Sequence, residues 1–535
     1  MSIEPSPEAA APPDPEHDPT ASYAIDPALV RRLVARLTAS DREQHTTYAP
    51  FTEQPIAVLA LSSSADVQYA AAAARAAQRS WARVPLSRRA EVFLDFHDLV
   101  LDRQDALLDL IQWESGKARK NAFEEVAHVA MTARYYARLA HAYLEPQRRL
   151  GIFPLLTRID VRRQPKGLVG VISPWNYPLT MAVADAIPAV VAGNAVMHKP
   201  DQQTPLSALY AIDLLIEAGM PADLWQVVYG EGSVVGPAVI DEVDYICFTG
   251  STDTGRQVAT QAASRLIGAS LELGGKNPML VLRDADLDRA ADGAVRACFS
   301  SAGQLCVSME RLYVADQIFD RFVDRLVRRT EAMRLSPALD FSADMGSMIS
   351  ATQVARTQQH VDDARSRGAE VLTGGRTRPE AGPLFYEPTV LTGVQPGMAC
   401  FADETFGPVV SLYRFTDERD AVVRANDGEY GLNASIWTRD AARGRAIAAQ
   451  IRCGTVNVNE GYAPTFGSID APMGGMRQSG LGRRQGPDGI HRFTDVQAIA
   501  TQRVLPIAPA FGMSDRVFAT AMTGALRVLK AVRRP

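Results

Sequence analysis

The sequence predicts an α/β protein built on parallel sheets, and three observations predict it. From Lys166 onward, the short β-rich runs GLVGVISPW, AVMHKP, WQVVYG and DYICFTG are separated by helical segments, as in right-handed βαβ units. The alternation returns between Asn277 and about Asn459, through NPMLVL, ERLYVA, AEVLTG, VVSLYRF, ASIWT and GTVNVN. At 535 residues the chain has room for about 3–4 domains or subdomains, so the two blocks are read as two domains with a cleft between them.

Each element follows in order. Residues 1–22 are rich in Pro, Ala, Glu and Asp and carry few large apolar groups, so a disordered tail is expected there. From Asp66 to about Leu139, Ala-rich runs and apolar residues three and four apart predict helices. Asp66 and Ser87 are the expected N-caps, and Gly116 the expected stop. The stretch 150–165 alternates and reads as extended, in hairpin form. Residues 502–535 carry six basic side chains against Asp515, with Val517, Ala521, Leu526 and Leu529 on an amphipathic helical pattern. A helix docked on its own protein or on a neighbouring subunit is expected; an anionic membrane surface and disorder are the alternatives.

Composition excludes several classes. Hydrophobic residues are 47% and charged residues 22%, ordinary for a globular chain. A net charge of −5 gives no general attraction to nucleic acid. The five cysteines, at 247, 298, 306, 400 and 453, form no C-x-x-C pair and no zinc-like spacing, so neither a disulfide framework nor a metal site is expected. That cysteine usage suits a reducing, cytoplasmic compartment. The N-terminus lacks the basic-then-apolar pattern of a secretory signal, and no apolar run reaches the roughly 18–20 residues of a spanning helix.

Five segments carry chemistry: PWNYP (174–178), FTGSTDTG (248–255), LELGGKNP (271–278), GQLCVS (303–308) and ETFGPVV (404–410). Singly each is modest, since a lone cysteine is more often a small core residue than a nucleophile. Cys247 and Cys298 sit in apolar strand and helix runs and read as core. GEGSVVG (230–236) imitates a dinucleotide fingerprint, but Gly236 stands one position late for G-x-G-x-x-G.

Together and in this order, the segments resemble the aldehyde dehydrogenase family over roughly Tyr23 to Gln502. The resemblance implies an α/β, aldehyde dehydrogenase-like fold. Its parts would be a Rossmann-like cofactor domain (23–143 and 166–276), a catalytic α/β domain (277–486), and a small β oligomerisation arm (144–165 and 487–505), with 506–535 as a C-terminal extension. A homodimer or homotetramer is implied by analogy.

It also implies roles. Cys306 is the expected nucleophile, forming a thiohemiacetal and then a thioester. Asn176 and the Cys306 backbone N–H would hold the oxyanion. Glu272, 34 residues before Cys306, is the expected general base for thioester hydrolysis. Gly250, Ser251 and Gly255 would receive a pyrophosphate at a helix N-terminus. Lys199 would reach the adenosine ribose, and Trp175, Leu273, Glu404 and Phe406 the nicotinamide end. Gln202 stands where strongly NAD-preferring members carry glutamate; with Asp201 turned to solvent, NADP is expected over NAD. The extended chain resembles a succinate-semialdehyde dehydrogenase subgroup. Two arginines that such enzymes use for the distal carboxylate are replaced by Ala184 and Ser300, so an uncharged aliphatic or aromatic aldehyde is the alternative. A non-catalytic member of the fold is the alternative of another class.

Overall fold

The computed structural model describes residues 25–40, 43–152, 157–503 and 506–531. The expected disordered tail, 1–22, lies outside the described residues, as do Arg533 and Arg534 of the basic C-terminus. The chain divides into two compact units: one takes the residues up to Tyr143 and Pro165–Phe493, the other Leu144–Gln164 and the residues from Thr494 on.

The first unit opens with a short helix, Pro27–Val34, followed by an antiparallel hairpin, β1 (Gln44–Tyr48) and β2 (Pro55–Ala60). Four helices follow, Ser64–Trp81, Leu86–Asp102, Gln104–Ser115 and Arg119–Leu144. The expected N-caps are each displaced. Ser63 caps the first of these four helices and Asp66 closes a capping box from the third helical position, its carboxylate accepting the Ser63 N–H at 2.8 Å. Pro85 precedes the second helix with no side-chain cap, since its fixed φ already starts the turn, and Ser87 falls inside that helix. Gly116 ends the third helix in the left-handed region (φ 73°), as expected of a glycine stop.

In the second unit, β3 (Gln147–Leu150) and β4 (Thr157–Pro165) pair antiparallel. The first unit then continues with β5 (Leu168–Ile172), β6 (Ala195–Lys199), β7 (Trp225–Val227), β8 (Tyr245–Thr249) and β9 (Gly268–Glu272). These five are parallel, in the spatial order β9-β8-β5-β6-β7. The order reverses between β5 and β8, and such a switch point opens a crevice at the carboxyl ends of the strands.

A seven-stranded sheet follows. It is built from β10 (Asn277–Val281), β11 (Met309–Ala315), β12 (Glu370–Thr373), β13 (Thr389–Thr392), β14 (Val409–Phe415), β15 (Asn433–Trp437) and β16 (Thr455–Val458). Only β12, at its edge, runs antiparallel. β10 and β11 are buried at every residue, as parallel strands covered on both faces must be. Cys298, on the helix Leu287–Phe299, and Cys247, on β8, are both buried. β17 (Gly480–Leu481) returns to the first sheet, pairing antiparallel with β9. β18 (Thr494–Gln502) joins β4 and β3 in the second unit. The C-terminal extension contains the helix Asp515–Ala531, on which Val517, Leu526 and Leu529 are exposed. No described helix is long and apolar enough to cross a membrane.

Candidate active site

Four neighbouring parallel strands deliver site residues from their carboxyl ends. β9 ends on Glu272, β8 leads into Gly250 and Ser251, β5 into Trp175 and Asn176, and β6 ends on Lys199. The expected catalytic residues Asn176, Glu272 and Cys306 all line one cavity of about 170 Å³. Of the expected cofactor residues, Trp175, Gly250, Ser251, Leu273, Glu404 and Phe406 line the same cavity, whereas Lys199, Gln202 and Gly255 do not.

Cys306 sits in a loop that enters through left-handed Ser301 (φ 51°), Ala302 (φ 55°) and Gly303 (φ 70°). Strained backbone of this kind persists only where its surroundings hold it. Here the Ser301 N–H is held by Asn121 Oδ1 at 3.2 Å, and three amides hold the residues that follow. Asn176 Nδ2 donates to the Gln304 carbonyl at 2.9 Å, Asn277 Nδ2 to the Cys306 carbonyl at 2.8 Å, and Asn433 Nδ2 to the Val307 carbonyl at 3.0 Å. Burial pushes the Cys306 thiol up to about 12; the Glu272 and Glu404 carboxylates add to the shift, and the Val307 N–H opposes it. The resting thiol is therefore protonated at neutral pH.

Glu272 is buried, and neither carboxylate oxygen has a hydrogen-bond partner among the described residues. Burial raises its pKa to about 7, with Arg484 pulling down and Asp185 pushing up. A carboxylate so poised titrates where a general base at neutral pH should.

Asn176 is placed by a buried ion pair that the sequence alone did not disclose. Lys117 Nζ binds Glu125 at 2.6 Å and donates to the Asn176 carbonyl at 2.6 Å, while Glu125 accepts the Thr180 N–H at 2.9 Å. A second hidden pair, Lys276 and Glu310, fixes the loop of Glu404 and Phe406: Glu310 accepts the Thr405 N–H at 3.0 Å and the Phe406 N–H at 3.2 Å. The Phe406 ring meets Trp175 edge-on, with centroids 5.4 Å apart. Glu404 accepts the Gly275 N–H at 2.7 Å, and burial raises it to about 8.

These residues fit a nicotinamide dinucleotide. Ser251 caps the helix Thr252–Ser264 by accepting the Thr254 N–H at 3.3 Å, so the first turn points toward the cavity that Gly250 and Ser251 line. A Cβ on Gly250 would lie 2.6 Å from the Phe248 ring, and one on Gly255 2.5 Å from Leu273, so only glycine lets this turn pack so closely.

At the other end, one expectation is corrected. Asp201 does not turn to solvent: it is half-buried, accepts the Gln203 N–H at 2.9 Å, and its charge opposes the desolvation of Lys199. The local turn, closed by that hydrogen bond, decides its direction. Gln202 is half-buried, and its carbonyl accepts the Tyr229 hydroxyl at 2.7 Å.

The apolar cluster around Cys306 includes Tyr177, Tyr462 and Leu305, with Phe466 packed against it. The Tyr177 hydroxyl donates to Glu124 at 3.1 Å; the Tyr462 hydroxyl lies 2.9 Å from both Glu124 Oε1 and Ser300 Oγ. Glu124 and Ser300 also line a second cavity of about 380 Å³, together with Lys120, Arg296 and Arg329. Each of those three cations is already paired, with Asp344, Glu460 and Asp288 respectively.

A thiol on a strained loop, a buried unpartnered carboxylate and a glycine turn at a helix N-terminus coincide with a sequence match: the model of the aldehyde dehydrogenase family covers residues 37–499. The chain belongs to the aldehyde dehydrogenase family. A relative from Mycolicibacterium smegmatis, named "Putative succinate-semialdehyde dehydrogenase [NADP(+)]", is 51% identical over 95% of this chain and 99% of its own length. The "Succinate-semialdehyde dehydrogenase, mitochondrial" of Oryza sativa subsp. japonica is 35% identical over 84% of this chain and 85% of its own. Among solved structures, an E. coli NADP dependent enzyme superposes with a TM-score of 0.83 at 34% identity, over 87% of this chain and 96% of that one. The NAD+ complex of the Bacillus cereus aldehyde dehydrogenase superposes with 0.84 at 31% identity, over 89% of this chain and 99% of that one. The α/β fold expected from the sequence is thus the aldehyde dehydrogenase fold, and the protein is an enzyme of that family.

Proposed function

We propose that this aldehyde dehydrogenase oxidises succinate semialdehyde to succinate with NADP as acceptor, NAD being the weaker alternative. The observation that carries the reading is the meeting of Cys306, Asn176 and an unpartnered Glu272 in one cavity.

The roles follow from chemistry. Cys306 Sγ attacks the aldehyde carbon and forms a thiohemiacetal. Its thiol proton needs an acceptor, and Glu272, about half-ionised near pH 7, is poised to take it. The oxyanion is received by the Cys306 N–H and the second amide hydrogen of Asn176, the first being committed to Gln304. When bound, the dinucleotide accepts the hydride that leaves this carbon. A thioester then remains on Cys306. Glu272, once it has passed the thiol proton to solvent, takes a proton from the attacking water, and hydrolysis releases the acid while that proton returns to the departing thiolate. Trp175, Gly250, Ser251, Leu273, Glu404 and Phe406 would hold the nicotinamide and pyrophosphate, and Lys199 and Gln202 the adenosine ribose.

The relatives' names support the substrate and the coenzyme. Neutral Gln202 and Lys199 favour a 2′-phosphate, while half-buried Asp201 works against one. The second reading, an uncharged aldehyde, is favoured by the pairing of Lys120, Arg296 and Arg329, which leaves those cations committed elsewhere. We further assign 23–143 with 166–276 to coenzyme binding, 277–486 to catalysis, and 144–165 with 487–505 to a homodimer or homotetramer in the cytoplasm. Five free cysteines suit that compartment.

The test is kcat/KM for succinate semialdehyde against butanal and benzaldehyde, with NADP and with NAD, followed by coenzyme absorbance. Preference for the neutral aldehydes would sink the substrate assignment, and no turnover with any aldehyde would sink the reading itself.

A further inference from the structure

Glu272 is bracketed by one arginine. On one side, its register partner in β8 is Thr249, whose Oγ1 accepts from Arg484 Nη2 at 3.1 Å. On the other side lies Gly474, where an added Cβ would stand 2.9 Å from Glu272 Oε1. The residue before it, Met473, exchanges both backbone hydrogen bonds with Arg484, at 2.8 and 2.7 Å. Arg484 itself is buried and anchored through Nη2 to Asp185 at 2.8 Å, and Asp185 is held in turn by Arg492. What remains open is Arg484 Nε: it is buried with no hydrogen-bond partner among the described residues, as are both oxygens of Glu272. Two buried, orphaned groups of opposite charge that share Thr249 and the Met473–Gly474 segment as neighbours are costly apart and complementary together.

We propose that Arg484 is a positioning residue for Glu272, offering its carboxylate a charged seat at Nε from which the base moves to the thioester on Cys306. The arginine does not touch the substrate in this account. It favours the ionised form of Glu272 against its burial while the base waits, and Asp185 moderates the attraction so that the base is not trapped. This rests on the proposed role of Glu272 as the hydrolytic base.

The charges facing Glu272 come from several elements. Arg484 and Arg483 follow β17, Asp185 comes from the helix Pro178–Val191, and Arg492 follows the helix Gly486–His491. Cys306 and Cys247 face it as thiols, both pushed up to about 12 by burial. His128, beside Asp185 and Arg484, is held down at about 3 and is neutral. Arg484 is the largest influence opposing the burial of Glu272.

The experiment is rapid-mixing kinetics of the full-length enzyme with NADP and succinate semialdehyde across pH. The NADPH burst reports acylation, and the following steady rate reports deacylation. Arg484→Met should keep the burst amplitude but move the midpoint of deacylation upward by about one unit. That gives a loss of about fivefold at pH 7 that is recovered near pH 9. Arg484→Lys should hold most of the wild-type midpoint, and Asp185→Asn should move it downward. If Arg484→Met bursts normally and keeps the wild-type midpoint, the proposal is overturned. Should that variant not fold, an Asp185→Asn midpoint that is unchanged or raised overturns it equally. A Glu272→Gln enzyme with normal steady turnover would instead remove the base on which the proposal rests, so the two failures are distinguishable.

Discussion

Raising the pH from 6 to 8 should accelerate thioester hydrolysis in this enzyme by about tenfold. The perturbation acts on one group. Glu272 titrates near 7 because burial disfavours its charge more than Arg484 restores it. If hydrolysis needs the carboxylate form, its rate follows the ionised fraction, which is about 9% at pH 6, about 50% at pH 7 and about 91% at pH 8. A glutamate at the ordinary value near 4.3 would be about 98% ionised already at pH 6, and its profile would be flat. The sign is that of a base: activity is lost as pH falls through the folded-state value. The assay is the steady NADPH rate after the burst, under conditions where the burst shows acylation to be faster. Glu272→Gln is the control. It should slow hydrolysis by about 10²–10⁴-fold and leave only a hydroxide path that climbs without a plateau. A flat wild-type profile between pH 6 and 8, or the same sigmoid in Glu272→Gln, would refute the reasoning.

Other expectations are briefer. Cys306→Ala should abolish turnover while leaving the fold and coenzyme binding intact, checked by circular dichroism and NADPH fluorescence. Asn176→Ala removes one oxyanion donor and should cost about 10²–10³ in kcat, equivalent to about 2.7–4 kcal/mol, read from steady-state kinetics. Because Asp201 faces Lys199, Asp201→Asn should raise kcat/KM for NADP by about tenfold relative to NAD, and Gln202→Glu should lower it by a similar factor. Deleting 506–535 should leave kcat unchanged, since every residue lining the Cys306 cavity lies before it; loss of liposome co-sedimentation on deletion would favour a membrane surface for the exposed helix.

The parallel strands were legible because strands buried on both faces read as dense apolar runs, as PMLV and LYVA do within β10 and β11. β13 was not, being four residues with two threonines, nor was the hairpin of β1 and β2, whose polar alternation is weak. Cys306, Glu272 and Asn176 could be found because their motifs are local. Lys117, Glu125, Glu310, Asn277 and Asn433 could not, because each acts on backbone groups that only the fold brings near: Asn433 reaches a carbonyl 126 positions away. Asp201 shows the opposite failure. Its residue type was plain, but its direction was set by a hydrogen bond to Gln203 that composition does not encode.

The most direct test of the account is to trap the thioester. Glu272→Gln enzyme mixed with NADP and succinate semialdehyde, then acid-quenched and digested, should carry one succinyl group on the peptide containing Cys306, in step with one equivalent of NADPH. Peptide mass spectrometry would contradict the account if NADPH formed with Cys306 unmodified, or if the acyl group sat on Cys247, Cys298, Cys400 or Cys453 instead.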